Sequence, residues 1–144
     1  MPDPYIKPPL RLGTDICSVR RIEASYSRFG QRLLEKVLTE GERAYVESSP
    51  AHLSSRLAVR FAAKEAASKV LGTGLRGVGF KEIEVTREPS GKPNLALHGR
   101  ARERAERLGL TSFEVSLTHE TDYAVAFIVG YSVGYFGSDP GGQG

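Results

Sequence analysis

Apolar and polar residues alternate at the start of the chain, with Leu10, Leu12, Thr14 and Ile16 set against Arg11, Gly13, Asp15 and Cys17. A period of two predicts a strand. Asp15 falls near its end, and Ser18 follows as a helix N-cap. A helix over 19–29 fits next, with Val19, Ile22 and Tyr26 as its inner stripe and Gly30 as its break. Thr39 with Glu42 three residues later spells a capping box, which predicts a short helix to about Ser48, broken by Ser49-Pro50. The run Arg56–Gly74, RLAVRFAAKEAASKVLGTG, predicts a long helix stopped by Gly72-Thr73-Gly74. After Gly79 the period returns to two: Ile83 and Val85, an EPSGKP turn with Gly91 at its tip, and a returning strand over 94–97. A charged helix over 99–108 closes at Gly109. A strand over 112–117 presents Phe113, Val115 and Leu117 on one face, and a polar turn over 118–122 leads to YAVAFIVGYSV, which should lie centrally in the sheet. These elements predict an α+β fold, an antiparallel-rich sheet packed against one long helix.

Within the long helix the arrangement of charge is unusual. At ~100° per residue, with Leu57 at zero, Phe61 falls near ~40° and Ala62 near ~140°, so Glu65 at ~80° and Lys69 at ~120° lie inside the apolar arc. The plain reading is an exposed i,i+4 pair worth a few tenths of a kcal/mol. The other is a carboxylate placed where desolvation demands a compensating cation or metal. The Gly-Thr-Gly end serves equally as a helix stop and as backbone that lets a phosphate approach. Asp15 reads as a turn aspartate or as a strand-end metal ligand. Thr118 and His119 sit where side chains can face a ligand.

Composition narrows the classes. The 144 residues, 40% hydrophobic and 26% charged, suit one globular domain. That domain is expected over 10–136, with a proline-rich irregular arm over 1–9 and a Gly-rich, disordered tail over 137–144. No apolar run reaches the ~20 residues that span a bilayer, so no membrane is expected, and MPDPYIKPPLRL lacks the apolar stretch of a secretion signal. Cys17 is the only cysteine, which rules out an internal disulfide and points to a reducing, cytoplasmic setting. A net charge of +3 favours an acidic partner. Arg21 and Arg28, with Arg32 beyond Gly30, form a basic stripe that serves either solubility or docking. Two carboxylates, Asp15 and Glu65, suit magnesium, which keeps waters and takes further oxygens from a substrate phosphate. No Walker loop or dinucleotide fingerprint is present.

Three stretches, GTDICSVRRIE (Gly13–Glu23), RFAAKEAASKVLGTG (Arg60–Gly74) and SLTHETDYAVAFIV (Ser116–Val129), with GKP between the second and third, carry a family likeness. The chain resembles the holo-[acyl-carrier-protein] synthases, the small bacterial members of the 4′-phosphopantetheinyl transferase superfamily. That resemblance covers roughly residues 10–130. It implies transfer of the phosphopantetheine arm of coenzyme A to a serine of apo-acyl carrier protein, a step in fatty-acid and lipid biosynthesis. By the same resemblance Asp15 and Glu65 hold magnesium, with manganese as a substitute. Glu65, directly or through water, becomes the base, and Lys69 meets phosphate charge. Arg60, Lys64, Gly72, Thr73, Gly74, Thr118 and His119 match positions near the coenzyme, and Arg21 matches the arginine that meets the carrier protein. The resemblance also implies a homotrimer with the site between chains. Two other readings compete, a basic nucleic-acid-binding module, which leaves the carboxylates unexplained, and a homologue without transferase activity, against which the full set of candidate reactive residues argues; no nucleic-acid partner is expected.

Overall fold

The computed structural model describes residues 9–133, so the expectations for the arm before Pro9 and the tail after Val133 fall outside the described residues. Strand β1 (Leu10–Ser18) leads into α1 (Val19–Phe29), α2 (Gln31–Val37) and α3 (Glu40–Glu47). A 3-10 turn (Pro50–His52) opens α4 (Leu53–Leu71), which is followed by the single turn α5 (Gly74–Gly77) and a second 3-10 turn (Phe80–Glu82). Then come β2 (Ile83–Arg87), β3 (Pro93–Leu97), α6 (Gly99–Arg107), β4 (Ser112–His119) and β5 (Tyr123–Tyr131). Among the described residues no helix is long and apolar enough to cross a membrane.

Two antiparallel sheets result, a three-stranded one in the order β1-β5-β4 and the β2-β3 ribbon. The hydrophobic β5 is central, as its composition predicts. Ser18 caps α1 by accepting from the Arg21 N–H, and Thr39 and Glu42 form the expected capping box at α3. The seven-residue α2 has no counterpart in the sequence expectation. Gly30 stops α1, but the chain re-enters a helix at once because Leu34 and Val37 find the core.

The long helix corrects the expected apolar arc. From Leu57 onward every residue of α4 is buried except Phe61, Glu65 and Lys69. The helix is enclosed all round, and those three, spaced i, i+4, i+8, form the single strip that reaches the surface. Glu65 and Lys69 therefore line an opening and do not sit inside an apolar wall. Alanines make the enclosure possible. The inner face of the sheet offers Gly13 on β1 and Ala124, Ala126, Ile128 and Gly130 on β5. A Cβ built on Gly13 would stand 2.0 Å from the Ala66 carbonyl oxygen, so backbone meets backbone here.

The outer face of this sheet is open and, over β1 and β5, largely apolar, while β4 turns Glu114, Ser116 and Thr118 to the same side. Leu10, Leu12 and Ile16 are exposed, Ile16 at 64%, together with Tyr123 and Phe127. Their register brings them side by side, Leu12 opposite Val129 and Ile16 opposite Val125.

Gly13→Ala should cost about 3 kcal/mol and lower Tm by roughly 10 °C in a thermal melt followed by circular dichroism. Gly41→Ala, in exposed helix where an added Cβ meets only a Glu84 carboxylate oxygen at 3.5 Å, should be neutral or slightly stabilising. Equal melting points for the two variants would remove the close-approach account of Gly13.

Candidate active site

Asp15 lies on the inward face of β1, and Glu65 lies on the open strip of α4. Both line a cleft of about 320 Å³ with Ile16, Cys17, Arg21 and Phe61. Lys69, one turn beyond Glu65, donates to the Thr14 carbonyl at 2.8 Å and to the Asp15 carboxylate at 3.3 Å. Burial raises the Glu65 carboxyl above the usual glutamate range, the Asp15 charge raises it further, and Lys69 pulls it part of the way back. Cys17, beside them, is pushed up to about 11, chiefly by burial and then by Asp15, so it stays a neutral thiol at physiological pH. Two like charges facing each other across a cleft are an arrangement that a bound cation relieves.

A second cleft, of about 260 Å³, opens on the far side of α4. It holds Arg60, His119, Tyr45, Arg56 and Arg87. Arg60 is ~140° and Arg56 ~180° around the helix from Glu65. His119 closes strand β4 and does not sit in the turn, while Thr118 beside it projects to the opposite, outer face across from Val125. The adjacent pair expected to face one ligand is thus split between two faces, as strand alternation requires.

Lys64 does not fit the expected coenzyme role. It is completely buried, and its ammonium donates to the Glu42 carboxylate at 2.7 Å, to the Phe80 carbonyl at 2.8 Å and to the Ile83 carbonyl. An ammonium has three donors, and all three are used inside the core. Burial pulls Lys64 below its ordinary value and Glu42 opposes this. Gly72 ends α4 at φ 72°, with its N–H donating to Lys69 O and the Thr73 N–H to Ser68 O, the Schellman pattern. Arg11 donates to the Val70 carbonyl at 2.6 Å and Arg104 to the Leu71 carbonyl at 3.0 Å. The Gly72–Gly74 segment is therefore a C-terminal stop capped by two guanidiniums, and a helix C-terminus by itself repels anions. Arg21 borders the carboxylate cleft, whereas Arg28 is exposed at the other end of α1 over the Phe29 ring at 5.1 Å. Among the described residues no group of three or more His, Cys, Asp or Glu side chains could hold a metal, so a cation at Asp15 and Glu65 would draw its other ligands from water and substrate.

A family model described as the 4′-phosphopantetheinyl transferase superfamily matches residues 11–128. The chain belongs to the 4′-phosphopantetheinyl transferase superfamily. It is 48% identical over 118 residues to the holo-[acyl-carrier-protein] synthase of Gloeobacter violaceus, a match covering 82% of this chain and 89% of the relative. The crystal structure of the Neisseria meningitidis holo-[acyl-carrier-protein] synthase superposes with a TM-score of 0.78 at 34% identity, covering 85% of this chain and 98% of that one. The Helicobacter pylori enzyme, solved in complex with coenzyme A, gives 0.73 at 31% identity, covering 83% and 98%. The α+β fold expected from the sequence is that of these superfamily members.

Tyr45, Arg56 and Arg87 escaped the sequence reading. The available signal was Arg56 followed by Arg60, a like-charge i,i+4 pair that costs helix stability unless something offsets it.

The raised Glu65 carboxyl has a definite pH signature. A carboxyl that holds its proton more tightly folded than unfolded costs stability as pH climbs from the ordinary 4.5 through its folded value. With chelator present, Glu65→Gln should therefore melt above the wild type at neutral pH, and the gap should close on acidification toward about pH 4. A gap that widens on acidification would reverse the assignment.

Proposed function

We propose that this chain transfers the 4′-phosphopantetheine arm of coenzyme A to the hydroxyl of a serine on an apo-acyl carrier protein, releasing adenosine 3′,5′-bisphosphate. The observation that carries this reading is the convergence of Asp15, Glu65 and Lys69 at one cleft, in a chain whose relatives include a synthase solved with coenzyme A. The serine oxygen forms a bond to the phosphorus that bears the pantetheine, and the bond from that phosphorus to the bridging oxygen of the bisphosphate breaks. The serine proton goes to Glu65, directly or through a water. Lys69, tethered to β1 through the Thr14 carbonyl, presents a fixed positive charge where the leaving bisphosphate gathers negative charge.

The two hard oxygen donors Asp15 and Glu65 fit magnesium, or manganese in its place, and are the residues that would hold it. When bound, it supplies Lewis-acid neutralisation of the pyrophosphate. Arg60 and His119 on the far side of α4 supply groups for the rest of the coenzyme. One helix separates these two clefts, which supports a coenzyme shared between neighbouring chains in a homotrimer. The open apolar face of β1 and β5 supports the same assembly, since water-exposed Leu12, Ile16 and Phe127 side chains are stabilised by being covered. Arg21, at the cleft mouth, and Arg28 meet the acidic carrier, and the lone, reduced Cys17 suits the cytoplasm.

Intact-mass analysis of an apo-carrier protein incubated with this protein, coenzyme A and magnesium should show a gain of one phosphopantetheine, and no gain would sink the reading. Asp15→Ala and Glu65→Ala should each cut turnover on the order of a thousandfold while the fold persists. Arg21→Glu should raise KM for the carrier protein and leave KM for coenzyme A unchanged.

Placing a charge on the outer sheet face, as in Phe127→Glu, should convert trimers to monomers in light scattering and lower transfer with them. A monomeric wild type with full activity would exclude the shared-site arrangement.

A further inference from the structure

Lys69 is the cation that α4 presents directly to the two carboxylates. Its ammonium has three N–H donors. One goes to the Thr14 carbonyl at 2.8 Å and one to the Asp15 carboxylate at 3.3 Å, and among the described residues the third has no protein acceptor. Glu65 precedes it by one helical turn, which sets their Cβ atoms ~5–6 Å apart. The lysine side chain is 54% exposed, against 20% for Asp15. An exposed pair of this kind is ordinarily loose and worth little. The bond to main chain changes that, because the Thr14 carbonyl cannot move with a side chain and keeps the positive charge beside Asp15. Arg21 lines the same cleft from α1 but is itself exposed.

That fixed charge acts with opposite sign on the two ligands of the cleft. A divalent cation approaching Asp15 and Glu65 alone meets a site already half neutralised, with a like charge a few ångströms from its seat. Two carboxylates are a small donor set for a hard cation, which draws its remaining oxygens from water and substrate phosphate. Lys69 therefore weakens the seating of a bare cation. A pyrophosphate approaching alone is repelled by the same two carboxylates, and Lys69 is what draws it in. The third ammonium N–H is available to one of its oxygens as a charge-assisted hydrogen bond. When both ligands are present, each removes the repulsion that the other meets, so their affinities rise together and by the same factor.

We infer that Lys69, anchored on the Thr14 carbonyl, governs how the cleft loads: it keeps the Asp15–Glu65 pair from filling with a free divalent cation and admits the cation together with the pyrophosphate of the coenzyme. This rests on the transferase reading for the identity of the anion, and on the Thr14, Asp15 and Glu65 geometry alone for the opposition to a bare cation. The free protein then stands without a tightly held cation, and the anion it recruits is the one that completes the cation's coordination.

The test titrates manganese(II) into the full-length protein without coenzyme, following the free ion by electron paramagnetic resonance. In parallel, coenzyme A is titrated calorimetrically with chelator present. Lys69→Met, similar in length and uncharged, should bind manganese about tenfold more tightly than wild type and coenzyme A about tenfold more weakly. Lys69→Arg keeps the charge and should stay within about threefold of wild type for both. Asp15→Ala should lose the manganese signal, which locates the measured ion at this cleft. Damage to packing would weaken both ligands together, so the opposite signs separate an electrostatic role from a structural one. Manganese affinity unchanged or weakened in Lys69→Met, Lys69→Arg behaving like Lys69→Met, or manganese retained by Asp15→Ala each overturns the inference. Opposite shifts in Lys69→Met, with no transfer to an apo-carrier protein by the wild type, overturn the transferase reading and leave the loading rule standing.

Discussion

Lys64 and Glu42 meet in the core with no access to water, and four segments are tied through that contact. Glu42 closes the capping box of α3 by accepting from the Thr39 N–H at 3.0 Å and holds β2 through the Val85 N–H at 3.0 Å. Lys64 carries the same tie into α4 and on to the carbonyls that precede and begin β2. Desolvating either charge alone costs several kcal/mol, and removing one partner from such a pair typically costs ~3–5 kcal/mol because the other is stranded. Glu84 extends the network, accepting from the Thr39 hydroxyl at 2.6 Å and meeting His98 at 3.1 Å. Every group in the knot is matched, so it fixes the rotation of α4 against the β2-β3 ribbon, and with it the side of the helix on which Arg56 and Arg60 emerge.

On the opposite side the same helix is set by contact and not by charge. Gly13, Ala124, Ala126 and Gly130 leave the inner face of the sheet nearly flat, and the alanines of α4 settle onto it. Small residues lose little side-chain entropy on burial, which suits a helix that must be enclosed on every side. Leu10, Leu12, Ile16 and Phe127 lie on the opposite, outer face, where one chain alone leaves them exposed.

Much of this was legible in the residues. The strand periods of β1 and β4, the hydrophobic run of β5, the capping box at Thr39 and the stop at Gly72 each follow from local chemistry that tertiary packing did not override. Asp15 could be singled out by its place at a strand end and by the family resemblance, and Glu65 by a helical-wheel position that the structure revises. The misreading of α4 has a clear cause. A helical wheel ranks positions by hydrophobicity, and an alanine-rich helix buried all round has no polar side to rank against. The role of Lys64 was hidden for a related reason, since its partner Glu42 lies 22 residues away and already had a complete local explanation as a cap. Tyr45 and Arg87 were invisible because their meeting is purely tertiary.

The enclosure of α4 also gives the protein a mechanical property. The helix is a shaft with one reactive cluster on each side, gripped by the Glu42–Lys64 tie and by the Gly13–Ala66 backbone contact. At the ~5–6 Å radius where side chains act, a turn of the shaft by about ten degrees would carry both clusters by roughly an ångström, in opposite directions. Displacements of that size are enough to cost two orders of magnitude in rate. The two clusters are therefore geared together, and whatever tightens the grip at one face keeps the other in register.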